Sequence, residues 1–216
     1  MILNQNSAEK IAESLLQIKA IKLNPTTPFQ WASGWKSPIY CDNRKTLSYP
    51  PVRTFIRQQF VEAINERYPN VEVIAGVATG GIALGALVAE AMGLPFVYVR
   101  SASKGHGMQN MIEGDIANNQ KVVVIEDLIS TGGSSLKAVA ALREEGCDIL
   151  GMVAIFTYGF ELAENNFKES KCDLVTLSDY DSMLKAAVKA NYVSENALES
   201  LAQWRVNPAK WDVVIA

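Results

Sequence analysis

The segment Lys121–Ser135 reads KVVVIEDLISTGGSS, and it constrains the fold more than any other stretch of the chain. Val122, Val123, Val124 and Ile125 form an apolar β run that ends in two adjacent carboxylates, Glu126 and Asp127. A hydroxyl- and glycine-rich turn follows, and an amphipathic helix begins after it. A strand this apolar is buried, so its charged end belongs at the carboxyl edge of a sheet. The turn from Ser130 to Ser135 then aims backbone N–H groups at whatever lies above the helix start, an arrangement that favours anions and phosphate in particular. Carboxylates beside it can grip sugar hydroxyls and help hold a hydrated Mg2+. The expectation is a sugar phosphate site. A solvated strand end for the acids, or an ordinary β–α turn for Gly132 and Gly133, explains less of the pattern.

The flanking sequence repeats the strand–helix alternation. A helix is expected over about Ala8–Ile21, capped by Ser7, with Ile11, Leu15 and Ile18 on one face. Asn24–Pro50 is irregular, rich in Pro, Ser and aromatic residues, and holds Trp31 and Trp35. These indoles read as packing more readily than as a base-stacking surface. Pro51 suits the first turn of a helix that runs to about Tyr68. Strands follow at Val71–Val77, Phe96–Val99, Lys121–Glu126, Ile149–Phe156 and Leu174–Leu177. The helices between and after them are Gly81–Met92, Ser134–Glu145, Glu161–Lys168, Asp181–Ala190 and Ser194–Val206. Such alternation implies right-handed crossovers and an α/β fold, a parallel sheet flanked by helices with ligands beyond the carboxyl ends of the strands. Three regions are expected: 1–50 as an N-terminal helix and irregular segment, 51–180 as the α/β core, and 181–216 as C-terminal helices packed on it.

The stretch Ser101–Asn119 is polar, glycine-rich and without clear period. Loops of that length in a domain usually act as lids or are disordered. It carries the chain's single histidine, His106, between two glycines. Arg100, Lys104 and His106 share a face in extended backbone, which suits a loop that closes over an anion.

The remaining features exclude functions. The net charge of −3 provides no field for nucleic acid. The three cysteines, Cys41, Cys147 and Cys172, have neither disulfide-framework nor zinc spacing and read as free thiols in a reducing compartment. No run is long enough to span a membrane, and MILNQNSAEK has no secretory pattern, so a soluble cytoplasmic protein is expected. GxxxxGK[ST] and GxSxG are absent, and GVATGG at Gly76–Gly81 has the wrong spacing for a dinucleotide fingerprint.

The segment VVVIEDLISTGGSS resembles the phosphoribosyl-pyrophosphate signature of type I phosphoribosyltransferases. FQWASGWKSPIYCDNR, from Phe29 to Arg44, resembles the hood of the orotate phosphoribosyltransferase branch, and VRSASKGHG, from Val99 to Gly107, resembles its catalytic loop. The resemblance spans nearly the whole chain. It implies transfer of a phosphoribosyl group to orotate, giving orotidine 5′-monophosphate and pyrophosphate, with Mg2+ held mainly through substrate oxygens. It further implies that Glu126 and Asp127 hold the ribose hydroxyls. Ser130, Thr131, Gly132, Gly133 and Ser134 would cradle the 5′-phosphate, and Leu128 and Ile129 would also belong to the phosphoribosyl-pyrophosphate site. Arg100, Lys104 and His106 would stabilise pyrophosphate, with His106 donating a hydrogen bond or a proton. The catalytic set is then Arg100, Lys104, His106 and Asp127. The family's loop reaches into its partner's site, which implies a homodimer whose segment 101–119 crosses over.

Four positions depart from the best-known branch of that family. Ala32, Gly80 and Ser101 stand where it has lysines, and Tyr158 stands at about the place of an arginine. Orotate must therefore be held differently. Ser130 lies near the base, and Lys36 and Arg44 are the available cations of the hood. Arg44 reads equally as the partner of the orotate carboxylate or as a structural ion pair. Two other readings share the resemblance: a phosphoribosyltransferase for another base, which the hood segment argues against, and a non-enzymatic regulator, which the retained loop argues against.

Overall fold

A computed structural model describes residues 1–31, 34–101 and 111–211. The N-terminal segment begins with α1 (Gln5–Gln17) and the short strands β1 (Ile21–Leu23), β2 (Phe29–Gln30), β3 (Lys36–Ser37) and β4 (Ile39–Cys41). A 3-10 turn, Asn43–Ser48, leads into α2 (Pro50–Arg67). The core strands are β5 (Val73–Val77), β6 (Phe96–Val99), β7 (Ile112–Glu113), β8 (Lys121–Ile129), β9 (Asp148–Thr157) and β10 (Leu174–Asp179). Between and after them lie α3 (Gly80–Met92), α4 (Gly133–Glu144), α5 (Glu161–Glu169), α6 (Tyr180–Lys189) and α7 (Leu198–Val206).

The core strands form one sheet in the order β10–β9–β8–β5–β6–β7. All neighbours are parallel except β7, which runs antiparallel to β6. Both faces are covered, which is why the central strands are almost continuously apolar. Alternate residues serve different cores. Val123, Ile125, Val153 and Ile155 pack toward α1, α2, α3 and α6. Val122, Val124, Met152 and Ala154 pack toward α4 and α5.

Several boundaries differ from those the sequence suggests. Asn4, not Ser7, caps α1: its side chain accepts from the Ser7 amide, so Ser7 falls inside the first turn. The helix ends at Gln17, ahead of Lys19 in the left-handed region with φ 55°. β8 continues past the acids to Ile129, because β9 runs alongside and pairs Leu128 with Phe156 and Ile129 with Thr157. The irregular segment after Asn24 contains the β2–β3 pairing and β4, which pairs with β1. The described part of Ser101–Asn119 contains β7. The last helix starts late, after a 3-10 turn at Glu195–Ala197.

Trp204 of α7 locks the N-terminal hairpin to the core. It is fully buried, and its ring centroid lies 5.6 Å from Trp31, 5.7 Å from Tyr158, 5.3 Å from Phe160 and 5.5 Å from Tyr180. Its indole N–H donates to the Lys36 carbonyl at 3.3 Å. Among the described residues no helix is long and apolar enough to cross a membrane.

Candidate active site

The strand order places a crevice at the carboxyl ends of β5 and β8. From β5 the chain moves out to β6 and then returns to place β8 on the opposite side of β5. The connections diverge there, and open α/β sheets bind ligands at such switch points. Glycine lets the two strand ends approach. A Cβ on Gly81 would stand 2.3 Å from the Ile125 carbonyl oxygen, and one on Gly80 would stand 2.2 Å from the Asp127 carboxyl carbon. Gly80 thus leaves the space that the Asp127 side chain occupies.

The two acids differ in surroundings. Glu126 is 5% exposed, and both its carboxyl oxygens are engaged: Oε1 accepts from the Asp127 amide at 2.9 Å and Oε2 from the Ser135 hydroxyl at 2.8 Å. Burial, followed by the nearby Asp127 charge, pushes the Glu126 carboxyl up to about 8. Asp127 is half-buried over Gly80, and desolvation raises it too, against the pull of hydrogen bonding from Glu126 and of the Arg44 charge. Asp127 is therefore the acid presented to the crevice, and Glu126 the one that braces β8 against α4.

The turn after β8 is built for an anion. Gly132 caps α4 at φ 79°, where a Cβ would meet the Phe167 ring at 2.6 Å. No side chain caps the helix, so its first-turn amides, from Gly133 onward, face outward. The Thr131 carbonyl is turned away and held by Asn166 Nδ2 at 2.8 Å. Gly133 and Ser134 are exposed, while Ser130 and Thr131 are half-buried. Leu128 and Ile129 remain in β8, with Ile129 buried. Arg100 follows β6; its amide donates to the Met111 carbonyl, and its guanidinium lies 3.6 Å from Glu113. Its Nη1 is buried with no hydrogen-bond acceptor among the described residues. Lys104 and His106 lie outside the described residues, as does Ala32.

A cavity of about 290 Å³ opens beside this turn, lined by Gln30, Trp31, Tyr40, Cys41, Leu128, Ser130 and Tyr158. Ser130 therefore belongs to both the turn and the cavity. Lys36 and Arg44 are not in the lining. Lys36 is exposed on β3, and Arg44, with its side chain 58% exposed, pairs through Nε with Asp42 Oδ1 at 2.7 Å. Trp31 both packs and lines: it contacts Tyr158 at 5.1 Å and donates to the Ile39 carbonyl. Gln30, Tyr40 and Cys41 were not distinguished by sequence, and neither was Asn43. That residue is fully buried; its Nδ2 donates to the Asp127 carbonyl at 2.6 Å and its Oδ1 accepts from the Cys41 thiol at 3.2 Å. A larger cavity, about 480 Å³, opens near the ends of β9 and β10. Its walls carry Glu161, Glu164, Asp179 and Asp181 against Arg205, the wrong sign for a phosphate.

Comparison with known proteins gives the family and the fold. The sequence model of the phosphoribosyl transferase domain matches residues 52–183. The orotate phosphoribosyltransferase of Porphyromonas gingivalis is 57% identical over 203 residues, covering 94% of this chain and 97% of that protein. The chain belongs to the orotate phosphoribosyltransferase family. The crystal structure of the Aeropyrum pernix orotate phosphoribosyltransferase superposes with a TM-score of 0.74 at 26% identity, covering 85% of this chain and 99% of that one. The Mycobacterium tuberculosis orotate phosphoribosyltransferase in complex with 5-phospho-alpha-D-ribosyl 1-diphosphate shares the fold, with a TM-score of 0.64 at 20% identity over 82% of this chain and 98% of that one.

Proposed function

We propose that the chain transfers a phosphoribosyl group from phosphoribosyl pyrophosphate to orotate, giving orotidine 5′-monophosphate and pyrophosphate in pyrimidine synthesis. One observation carries the reading: the uncapped start of α4, the Asp127 carboxylate and an aromatic-walled cavity meet in a single crevice, with Ser130 common to the turn and the cavity. The first-turn amides of α4 and the hydroxyls of Ser130, Thr131 and Ser134 suit the 5′-phosphate. Asp127 suits the ribose hydroxyls, and the cavity suits a flat pyrimidine.

In this reaction the bond from ribose C1 to the pyrophosphate oxygen breaks, a bond to the orotate ring nitrogen forms, and the proton of that nitrogen leaves to the pyrophosphate or to solvent. Positive charge builds on the sugar ring and negative charge on the leaving group. The protein aligns two reactants and neutralises pyrophosphate away from water. Arg100, at the end of β6 and 3.6 Å from Glu113, has a guanidinium nitrogen without a hydrogen-bond acceptor among the described residues and suits that anion. Lys104 would add a second cation, and His106 a hydrogen bond or a proton.

Mg2+ dependence belongs to the same proposal. Among the described residues no group of three or more His, Cys, Asp or Glu is set to hold a metal. Asp127 is nonetheless a hard oxygen donor at the crevice, and Mg2+ is commonly shared between one or two carboxylates and substrate phosphates. Bound in that way, Mg2+ would supply countercharge to the pyrophosphate. We place the enzyme in the cytoplasm as a homodimer, a compartment consistent with free thiols at Cys41, Cys147 and Cys172.

The test is a spectrophotometric assay of orotate loss with phosphoribosyl pyrophosphate and Mg2+. Orotate is expected to be consumed only with both present, and chelator to stop the reaction. Uracil, hypoxanthine and adenine should not be consumed. Turnover of one of those bases in place of orotate would overturn the assignment.

A further inference from the structure

Tyr158 is 2% exposed and lines the cavity beside Ser130 and Leu128, so the little surface it shows is shown there. Its ring is fixed on several sides: centroids lie 5.1 Å from Trp31, 5.8 Å from Phe156, 5.5 Å from Phe160 and 5.7 Å from Trp204. Its backbone is fixed too, since the Tyr158 amide donates to the Ile129 carbonyl at 3.2 Å. Yet among the described residues its hydroxyl has no hydrogen-bond partner. The other buried tyrosines behave differently: Tyr180 donates to the Leu201 carbonyl and Tyr68 to Asp173. Among the described residues the side-chain atoms buried without a partner are Arg57 Nε and Arg100 Nη1, so the Tyr158 oxygen is not sealed off and faces the cavity, where a ligand atom can take the place of water.

The chemistry of the cavity says what that partner is. No described residue lining it is charged, so an acidic pyrimidine entering must meet hydrogen-bond donors. Burial, with the charges that Cys41 and Asp127 can carry nearby, holds the Tyr158 proton firmly in place, so the phenol is a donor at any working pH. We propose that the Tyr158 hydroxyl donates a hydrogen bond to an exocyclic oxygen of the pyrimidine and thereby selects the acceptor substrate. The proposal rests on the assigned reaction but is separable from it.

The decisive comparison is Tyr158→Phe against wild type. Phenylalanine keeps every ring contact, so melting temperature and KM for phosphoribosyl pyrophosphate should stay put. KM for orotate should rise by roughly 10- to 100-fold, the usual effect of removing a hydrogen bond from an acidic ligand. An unchanged orotate KM in a variant that melts like wild type overturns the proposal. If the variant fails to fold, crystals of the wild-type protein soaked with orotate decide the matter. The phenol oxygen is expected within hydrogen-bonding distance of a pyrimidine oxygen, and a pyrimidine bound out of its reach overturns the proposal. A wild-type enzyme that consumes no orotate would instead sink the assigned reaction.

Discussion

Glu126 sits against Ser135 with its proton held up to about 8, far above the ordinary 4.5 of a glutamate. A raised carboxyl means that the fold favours the neutral form. That contribution to stability is complete below pH 4.5 and is lost as pH climbs toward and past 8. Glu126→Gln removes the titration while keeping the side chain's shape. In thermal melts of the ligand-free protein, the melting temperature of the variant relative to wild type should rise between pH 5 and pH 9. A pH-independent difference would mean that Glu126 is ionised throughout. Gly80 and Gly81 make a paired prediction. A methyl at Gly80 meets the end of the Asp127 side chain, which can swing aside, whereas a methyl at Gly81 meets the Ile125 backbone, which cannot. Gly80→Ala should therefore weaken phosphoribosyl-pyrophosphate binding in calorimetry with little change in melting temperature. Gly81→Ala should lower the melting temperature. The acids and the turn were legible in sequence because apolar run, carboxylates and glycines are contiguous. The part played by Gly80 was not, since it depends on which way Asp127 points, and sequence offered Gly80 only as the absence of a lysine.

At the scale of elements, the alternation of strand and helix was readable because each core element is long enough to show its period. β2, β3 and β7, with two residues each, are too short to show one. The hood segment Phe29–Arg44 was expected over the orotate, but its individual lining residues escaped for a different reason. Gln30, Tyr40 and Cys41 come from the N-terminal segment and meet Leu128 and Tyr158 only through the tertiary fold. Asn43 is the joint between these parts, bridging the Cys41 thiol and the Asp127 carbonyl from a fully buried position. Asn43→Ala leaves that carbonyl unpaired and should cost about 1–3 kcal/mol, read as a lower midpoint in urea. It should also raise KM for phosphoribosyl pyrophosphate, because the strand end that carries Asp127 loses its brace. A midpoint equal to wild type would show that the joint is dispensable.

At the scale of the whole molecule, parallel strands and right-handed crossovers put the ends of β5 and β8 together, and the site follows from that topology. The family resemblance implies that the loop at 101–119 serves a second subunit. If that loop completes the neighbouring subunit's site, mixing two inactive proteins distinguishes the arrangements. Lys104→Ala should lower kcat by on the order of 100-fold, as loss of a charge-stabilising donor does, and Asp127→Asn should cripple donor binding. Mixed and allowed to exchange subunits, the two should regain activity, since one site then pairs an intact Asp127 with an intact Lys104. No recovery from a demonstrated heterodimer would put the loop over its own subunit's site. The account as a whole is tested most directly by diffraction from crystals soaked with phosphoribosyl pyrophosphate and Mg2+. It predicts the 5′-phosphate on the amides that open α4 and the ribose hydroxyls on Asp127. A donor bound elsewhere, with residues 126–134 bare, would contradict it.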